Sequence, residues 1–147
     1  MEMDEEFRLL VAEIAQHKDS AYYRAAHLDA RVASASRDAR SIVVEFTARD
    51  SEIGHARCLD EGLVATVADF WTSALITAIS GGRGAVTTTL SVQALKHLTA
   101  GTRVHVLCSA TSPDSHAMPY ATARFVSAAD HNDVLALATH TKFFKAK

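Results

Sequence analysis

Asp69 is the only Asp, Glu, Lys or Arg between Gly62 and Gly82. It sits inside Gly62-Leu-Val-Ala-Thr-Val-Ala-Asp69-Phe-Trp-Thr-Ser-Ala-Leu-Ile-Thr-Ala-Ile79, the most apolar stretch of the chain. Taking a carboxylate out of water is expensive unless something compensates. Such a residue is therefore either tied into a polar network or used for chemistry. Residues three and four apart share a helix face, which here gives Asp69 the neighbours Ala65, Thr66, Thr72 and Ser73. Gly62, Thr66, Asp69, Thr72 and Ser73 then form a small polar stripe, and Leu63, Val64, Val67, Phe70, Trp71, Leu75 and Ile79 fill the other sides. No Lys or Glu lies on the stripe, so it is expected to face a cleft or a partner subunit rather than open water. Two readings stand: Asp69 satisfies itself on the Thr and Ser hydroxyls, or it is used for chemistry.

The remaining chemistry-bearing residues are less organised. Eight histidines form no His-x-x-x-His pair, and the two cysteines, Cys58 and Cys108, form no Cys-x-x-Cys pair. His55, Cys58 and Asp60 are the nearest cluster and read as accidental neighbours. No metal and no cofactor are expected. Cys58 precedes a helix start, where a thiolate is stabilised, but reads as a passive thiol. Ser80-Gly-Gly-Arg-Gly84 follows a helix and lacks the Gly-Lys-Ser/Thr ending of a phosphate loop, so it reads as a helix stop.

The elements that must position Asp69 follow from periodicity. Residues 4–27 read as a helix, with Phe7, Leu10, Val11 and Ile14 at helical spacing and a break near Lys18-Asp-Ser20. Ala30 to Ala48 holds two short strands, the second with Ile42, Val44, Phe46 and Ala48 on one side. Asp50 to Leu59 has no period and reads as a loop. Asp60 is a suitable N-cap for the long helix. Four strands follow. In the first, Val86, Thr88, Leu90, Val92 and Ala94 share one row. In the second, Thr102, Val104, Val106, Cys108 and Ala110 do so. The third and fourth are Met118–Ser127 and Val134–Phe143, and the turns are Ala100-Gly101, Ser112-Pro-Asp114 and Asp130-His-Asn-Asp133. Such alternation predicts antiparallel strands covered on one face, in an α+β chain whose sheet wraps around one long helix.

At 147 residues the chain fits one domain with a real core. A formal net charge of −2 argues against nucleic acid or an anionic membrane as partner. The 62–79 stretch is long enough to raise the membrane question. A carboxylate near its centre would cost about 2.5–3.5 kcal/mol, and Thr66, Thr72, Ser73 and Thr77 add polarity, so a helix buried in protein is the better reading. The acidic start, Met1 to Glu6, is neither a secretory signal nor an Arg-rich transit peptide. A cytoplasmic protein is expected.

Asp60-Glu-Gly-Leu-Val-Ala-Thr-Val-Ala-Asp69, followed by Ala85-Val-Thr-Thr-Thr-Leu-Ser-Val92, resembles the hotdog-fold acyl-CoA thioesterases of the PaaI type. Leu98-Thr-Ala-Gly101 resembles their turn before a strand, and Ala138-Thr-His-Thr-Lys-Phe143 their last strand. The resemblance covers roughly residues 30–147, with residues 1–29 as an N-terminal helical segment outside it. It implies a hotdog fold, an antiparallel sheet of about six strands around a central helix, in a homodimer or homotetramer. It also implies an acyl-CoA substrate, with Asp69 as general base or nucleophile and Thr87 helping to hold the water. The N–H of Glu61, with Gly62 beside it, would polarise the thioester carbonyl, as a helix start favours developing negative charge. Lys96, Arg103, Arg124 and Lys142 are candidates for the CoA phosphates. Where the family shows His-Gly-Gly, this chain reads Asp60-Glu61-Gly62. That departure motivates the alternative of a non-catalytic hotdog protein that binds acyl-CoA or serves as an assembly subunit.

Overall fold

A computed structural model of the chain describes residues 3–17, 29–111 and 118–145. Helix α1 (Glu5–His17) leads into strands β1 (Arg31–Ser36) and β2 (Ser41–Thr47). The long helix α2 (Glu61–Ile79) follows, and then β3 (Ala85–Ala94), β4 (Arg103–Ala110), β5 (Tyr120–Ser127) and β6 (Asp130–Phe144). The strands form one antiparallel sheet in the order β1-β2-β4-β5-β6-β3. The long crossover between β2 and β3 is α2 itself, which carries the chain to the far edge of the sheet.

The limits of α2 follow from its end residues. The Asp60 carboxylate accepts the Leu63 N–H at 3.1 Å, satisfying one donor of the first turn. At the other end Gly81 and Gly82 adopt φ of 71° and 93°, and the Gly82 N–H donates to the Thr77 carbonyl at 2.9 Å. This six-to-one bond needs the left-handed backbone that glycine adopts freely.

Alternation along each strand delivers one apolar row to α2. Ile42, Val44 and Phe46 of β2, Val104, Val106 and Cys108 of β4, Ala123 and Phe125 of β5, and Ala136 and Ala138 of β6 are all buried. They pack against Val64, Val67, Trp71, Ala74 and Leu75 of α2 in one core, which Phe7 and Val11 of α1 also join. Phe46 meets Phe125 edge-on at 6.4 Å between centroids. Burying each large apolar side chain contributes about 1.5–3 kcal/mol, so this wrap holds α2 in place. Although α2 has the length and apolarity to cross a membrane, 67% of its apolar window lies inside the protein.

Several sequence-based boundaries need correction. Helix α1 is described over Glu5–His17; the expected break at Lys18-Asp-Ser20, the rest of the helix to residue 27 and the Ser112-Pro-Asp114 turn lie outside the described residues. Asp130-His-Asn-Asp133 is the start of β6 rather than a turn, because Ser127 pairs directly with Asp130 across the two residues Ala128 and Ala129. The expected loop before α2 contains a short 3₁₀ turn, Asp50–Glu52, and an Ile53–Leu59 bridge.

Candidate active site

The polar stripe of α2 faces β6. Inward alternation on β6 continues past Ala136 and Ala138 to His140, Lys142 and Phe144. His140 and Lys142 are thus buried, at 1% and 7% exposure, opposite Asp69, Thr72 and Ser73. His140 Nδ1 lies 2.7 Å from Thr72 Oγ1, and Lys142 Nζ donates to Ser73 Oγ at 3.0 Å. Ser73 in turn donates to Asp69 Oδ1 at 3.4 Å, and Asp69 Oδ1 stands 3.7 Å from His140 Nε2. Asp69 keeps 28% of its side chain exposed, so its carboxylate lies between this network and the surface.

Thr87 reaches the same place through an irregularity. Alternation predicts Val86, Thr88, Leu90, Val92 and Ala94 in one row, which would put Thr88 opposite Lys142. Instead Thr87 pairs with Lys142 and Thr89 with Thr141, leaving Thr88 as the extra residue of a bulge. The extra residue moves Thr87 onto the α2 side while Leu90 stays there opposite His140. Bulges commonly re-aim a side chain in this way. Thr87 Oγ1 comes to rest 2.8 Å from His140 Nε2.

These contacts favour one arrangement of protons in the neutral ring. A threonine hydroxyl has one proton, and Thr72 gives its proton to the Ala68 carbonyl at 2.6 Å. The Thr72 oxygen therefore accepts from His140, and Nδ1 carries hydrogen. In the neutral ring Nε2 is then an acceptor, and Thr87 donates to it. Burial holds the Lys142 ammonium below the ordinary lysine range, partly offset by the attraction of Asp69. Elsewhere burial pushes the Cys108 thiol up to about 12, so it is no nucleophile at neutral pH.

The helix entry carries the other expected residues. Asp60, Glu61 and Gly62 are exposed. The Val64 N–H makes the first intrahelical bond, to Asp60 O; the amides of Glu61 and Gly62 precede it and point out of the helix start. A Cβ at Gly62 would come within 3.0 Å of Asp60 Oδ1, so the glycine leaves room for the capping carboxylate. The four expected phosphate contacts do not converge. Lys96 pairs with Asp133 and Arg103 stands 3.9 Å from Glu45. Arg124 is exposed on β5, beside Leu107 and Leu137, on the sheet face away from α2, whereas Lys142 lies on the α2 side. Among the described residues no group of three or more His, Cys, Asp or Glu is placed to hold a metal ion.

His140 is the functional candidate that residue spacing alone misses. Thr139-His-Thr-Lys142 reads as a polar strand end, and nothing in it marks the His and Lys row as the buried one.

No protein-family model and no curated protein matches the sequence. Solved structures do. Zebrafish thioesterase superfamily member 2 superposes with a TM-score of 0.77 at 16% identity, over 99% of this chain and 100% of that one. The PaaI protein of the Escherichia coli phenylacetic acid degradation operon gives 0.71 at 14% identity, over 92% and 96%. A hypothetical thioesterase from Streptococcus pneumoniae, solved with coenzyme A, gives 0.71 at 16% identity, over 89% and 94%. The chain has the hotdog fold: six antiparallel strands around one long helix, as in these thioesterase-superfamily proteins.

Proposed function

We propose that the protein is an acyl-CoA thioesterase, hydrolysing the thioester to the free acid and CoA with Asp69 as base. The observation that carries this reading is the half-open Asp69 carboxylate, on the helix that similar folds share with thioesterases, facing Thr87 and a buried His–Lys pair. Asp69 takes a proton from water while Thr87 holds that water against the thioester carbonyl. The Glu61 amide, at the positive end of α2, receives the developing oxyanion. Among the described residues the edge strand β3 has no neighbour beyond it in the sheet, and Val86 is exposed on it. A ten-residue edge of this kind invites pairing with a second copy, which supports a homodimer or homotetramer. We place the protein in the cytoplasm, with no nucleic-acid or membrane partner.

The test is release of free thiol from a panel of acyl-CoA esters by the purified protein, with its mass in solution recorded. Hydrolysis of at least one ester by an oligomer is expected. Saturable binding with no turnover of any ester would leave a ligand-binding hotdog protein instead. Glu61 brings a carboxylate close to the proposed oxyanion. Glu61→Gln is therefore expected to raise kcat by roughly two- to fivefold, the equivalent of one exposed charge at a helix start.

A further inference from the structure

The buried face of β6 contributes a residue whose protonation bears on Thr87. We propose that His140 is a positioning residue of the active site: its neutral Nε2 holds the Thr87 hydroxyl proton, so that the Thr87 oxygen receives a hydrogen bond from the attacking water. The kinetic part of this proposal rests on the thioesterase reading; the proton arrangement does not.

The Ala68 carbonyl takes the only Thr72 hydroxyl proton at 2.6 Å, so Thr72 must accept from His140 Nδ1 at 2.7 Å. With Nδ1 protonated, Nε2 offers a lone pair, and the group facing it at 2.8 Å is Thr87 Oγ1. A hydroxyl that donates inward presents lone pairs outward. Thr87 is exposed and its oxygen can therefore accept from a water. That water has two protons, one directed to Thr87 and one to Asp69. In the reaction its oxygen bonds the thioester carbonyl carbon and one proton passes to Asp69. The C–S bond then breaks, and that proton leaves on the CoA sulfur; the second proton departs with the product acid. His140 gains and loses nothing overall.

A second proton on the ring reverses the arrangement. An Nε2–H donates to Thr87 and attracts the Asp69 carboxylate 3.7 Å away. Thr87 then turns its proton outward, and the base is occupied by an ion pair. Among the described residues the charged groups beside the ring include Asp69 on α2 and Lys142 two positions along β6, which reaches Asp69 through Ser73. The ring also meets the uncharged Thr72 on α2, Thr87 and Leu90 on β3, and Ala121 on β5. Protonating His140 should therefore switch turnover off.

Two measurements test this. Nitrogen-15 NMR of the imidazoles in the intact protein should show His140 as the Nδ1–H tautomer, the less common form of a free histidine; an Nε2–H tautomer would overturn the proposal. In kinetics, the acid limb of kcat should move to lower pH in His140→Gln, because the ring that switches the site off is gone. Gln can still bridge Thr72 and Thr87, so this variant should fold. Its kcat at neutral pH should fall roughly tenfold to a hundredfold with KM held within about twofold. An acid limb unmoved by His140→Gln would overturn the positioning role. Absence of any turnover in the unmodified protein would overturn the hydrolase reading and the kinetic part with it, leaving the tautomer to be decided by NMR.

Discussion

The sheet carries a histidine–carboxylate pair on each face, and the two are built differently. On the outer face His105 Nε2 meets Glu45 Oε2 at 2.8 Å, and His105 Nδ1 meets His131 Nε2 at 2.8 Å. Glu45 also receives Arg31 at 3.0 Å, with Arg103 at 3.9 Å. The His105 bond, followed by these guanidinium groups, holds the Glu45 carboxyl below its ordinary range. On the inner face Asp69 and His140 stand 3.7 Å apart, beyond direct hydrogen bonding, and the ring is held by two threonines instead. The outer pair is closed upon itself. In the inner pair the histidine is sealed in the core while the Asp69 side chain keeps 28% of its surface exposed. A carboxylate beside a histidine is thus no sign of chemistry in itself; the gap and the route to solvent are what separate the two.

The largest effect that sharpens this contrast is on stability. Thr72→Val removes the acceptor of a buried imidazole N–H and should cost about 1–3 kcal/mol, read from denaturant unfolding at pH 7. His131→Asn, in the exposed pair, should stay within about 0.5 kcal/mol. Equal losses would erase the distinction between the two networks.

Lys142 gives a second test, on the alkaline side. Its folded-state pKa lies below the ordinary 10.5 because of burial. In the window between those values the unfolded chain binds the proton and the folded one does not. Stability should therefore climb with pH up to about 10.5 and be lost as pH falls through that window. Lys142→Met should flatten the climb in melting temperature, with the unchanged protein as reference.

The smallest effect belongs to the outer face. Glu45 has a lowered folded pKa, so its contribution is present above 4.5 and is lost as pH falls through the folded value. Glu45→Gln should remove a part of the acid-range loss worth about 0.2–1 kcal/mol, as expected for a partly exposed ion pair. Melting curves from pH 3 to 7 would show it, and turnover at pH 7 should stay within about twofold.

Much of the fold is legible in the sequence, because its signals are periodic. Asp60 caps α2 and the Gly81-Gly82 pair ends it, as their residue types require. The rows Ile42/Val44/Phe46 and Val104/Val106/Cys108 are buried as alternation implies. The stripe from Thr66 to Ser73 is legible too, because a helix repeats every three to four residues. What faces the stripe is not. Strand alternation separates residues into two rows but does not say which is inside when both are polar, as in Thr139-His-Thr-Lys142. Nor does it reveal a bulge: Thr87 and Thr88 are the same residue type, and only the pairing with β6 decides which one turns toward His140. The site therefore depends on long-range register, which local sequence does not encode.

The most direct test of the account compares the unmodified protein with Asp69→Asn on one hydrolysed acyl-CoA ester, measuring binding and thiol release separately. Binding should be kept while kcat falls roughly 10²- to 10⁴-fold, the contribution of a positioned general base. An Asp69→Asn protein that releases thiol at the unmodified rate would contradict the assignment of Asp69 as the base.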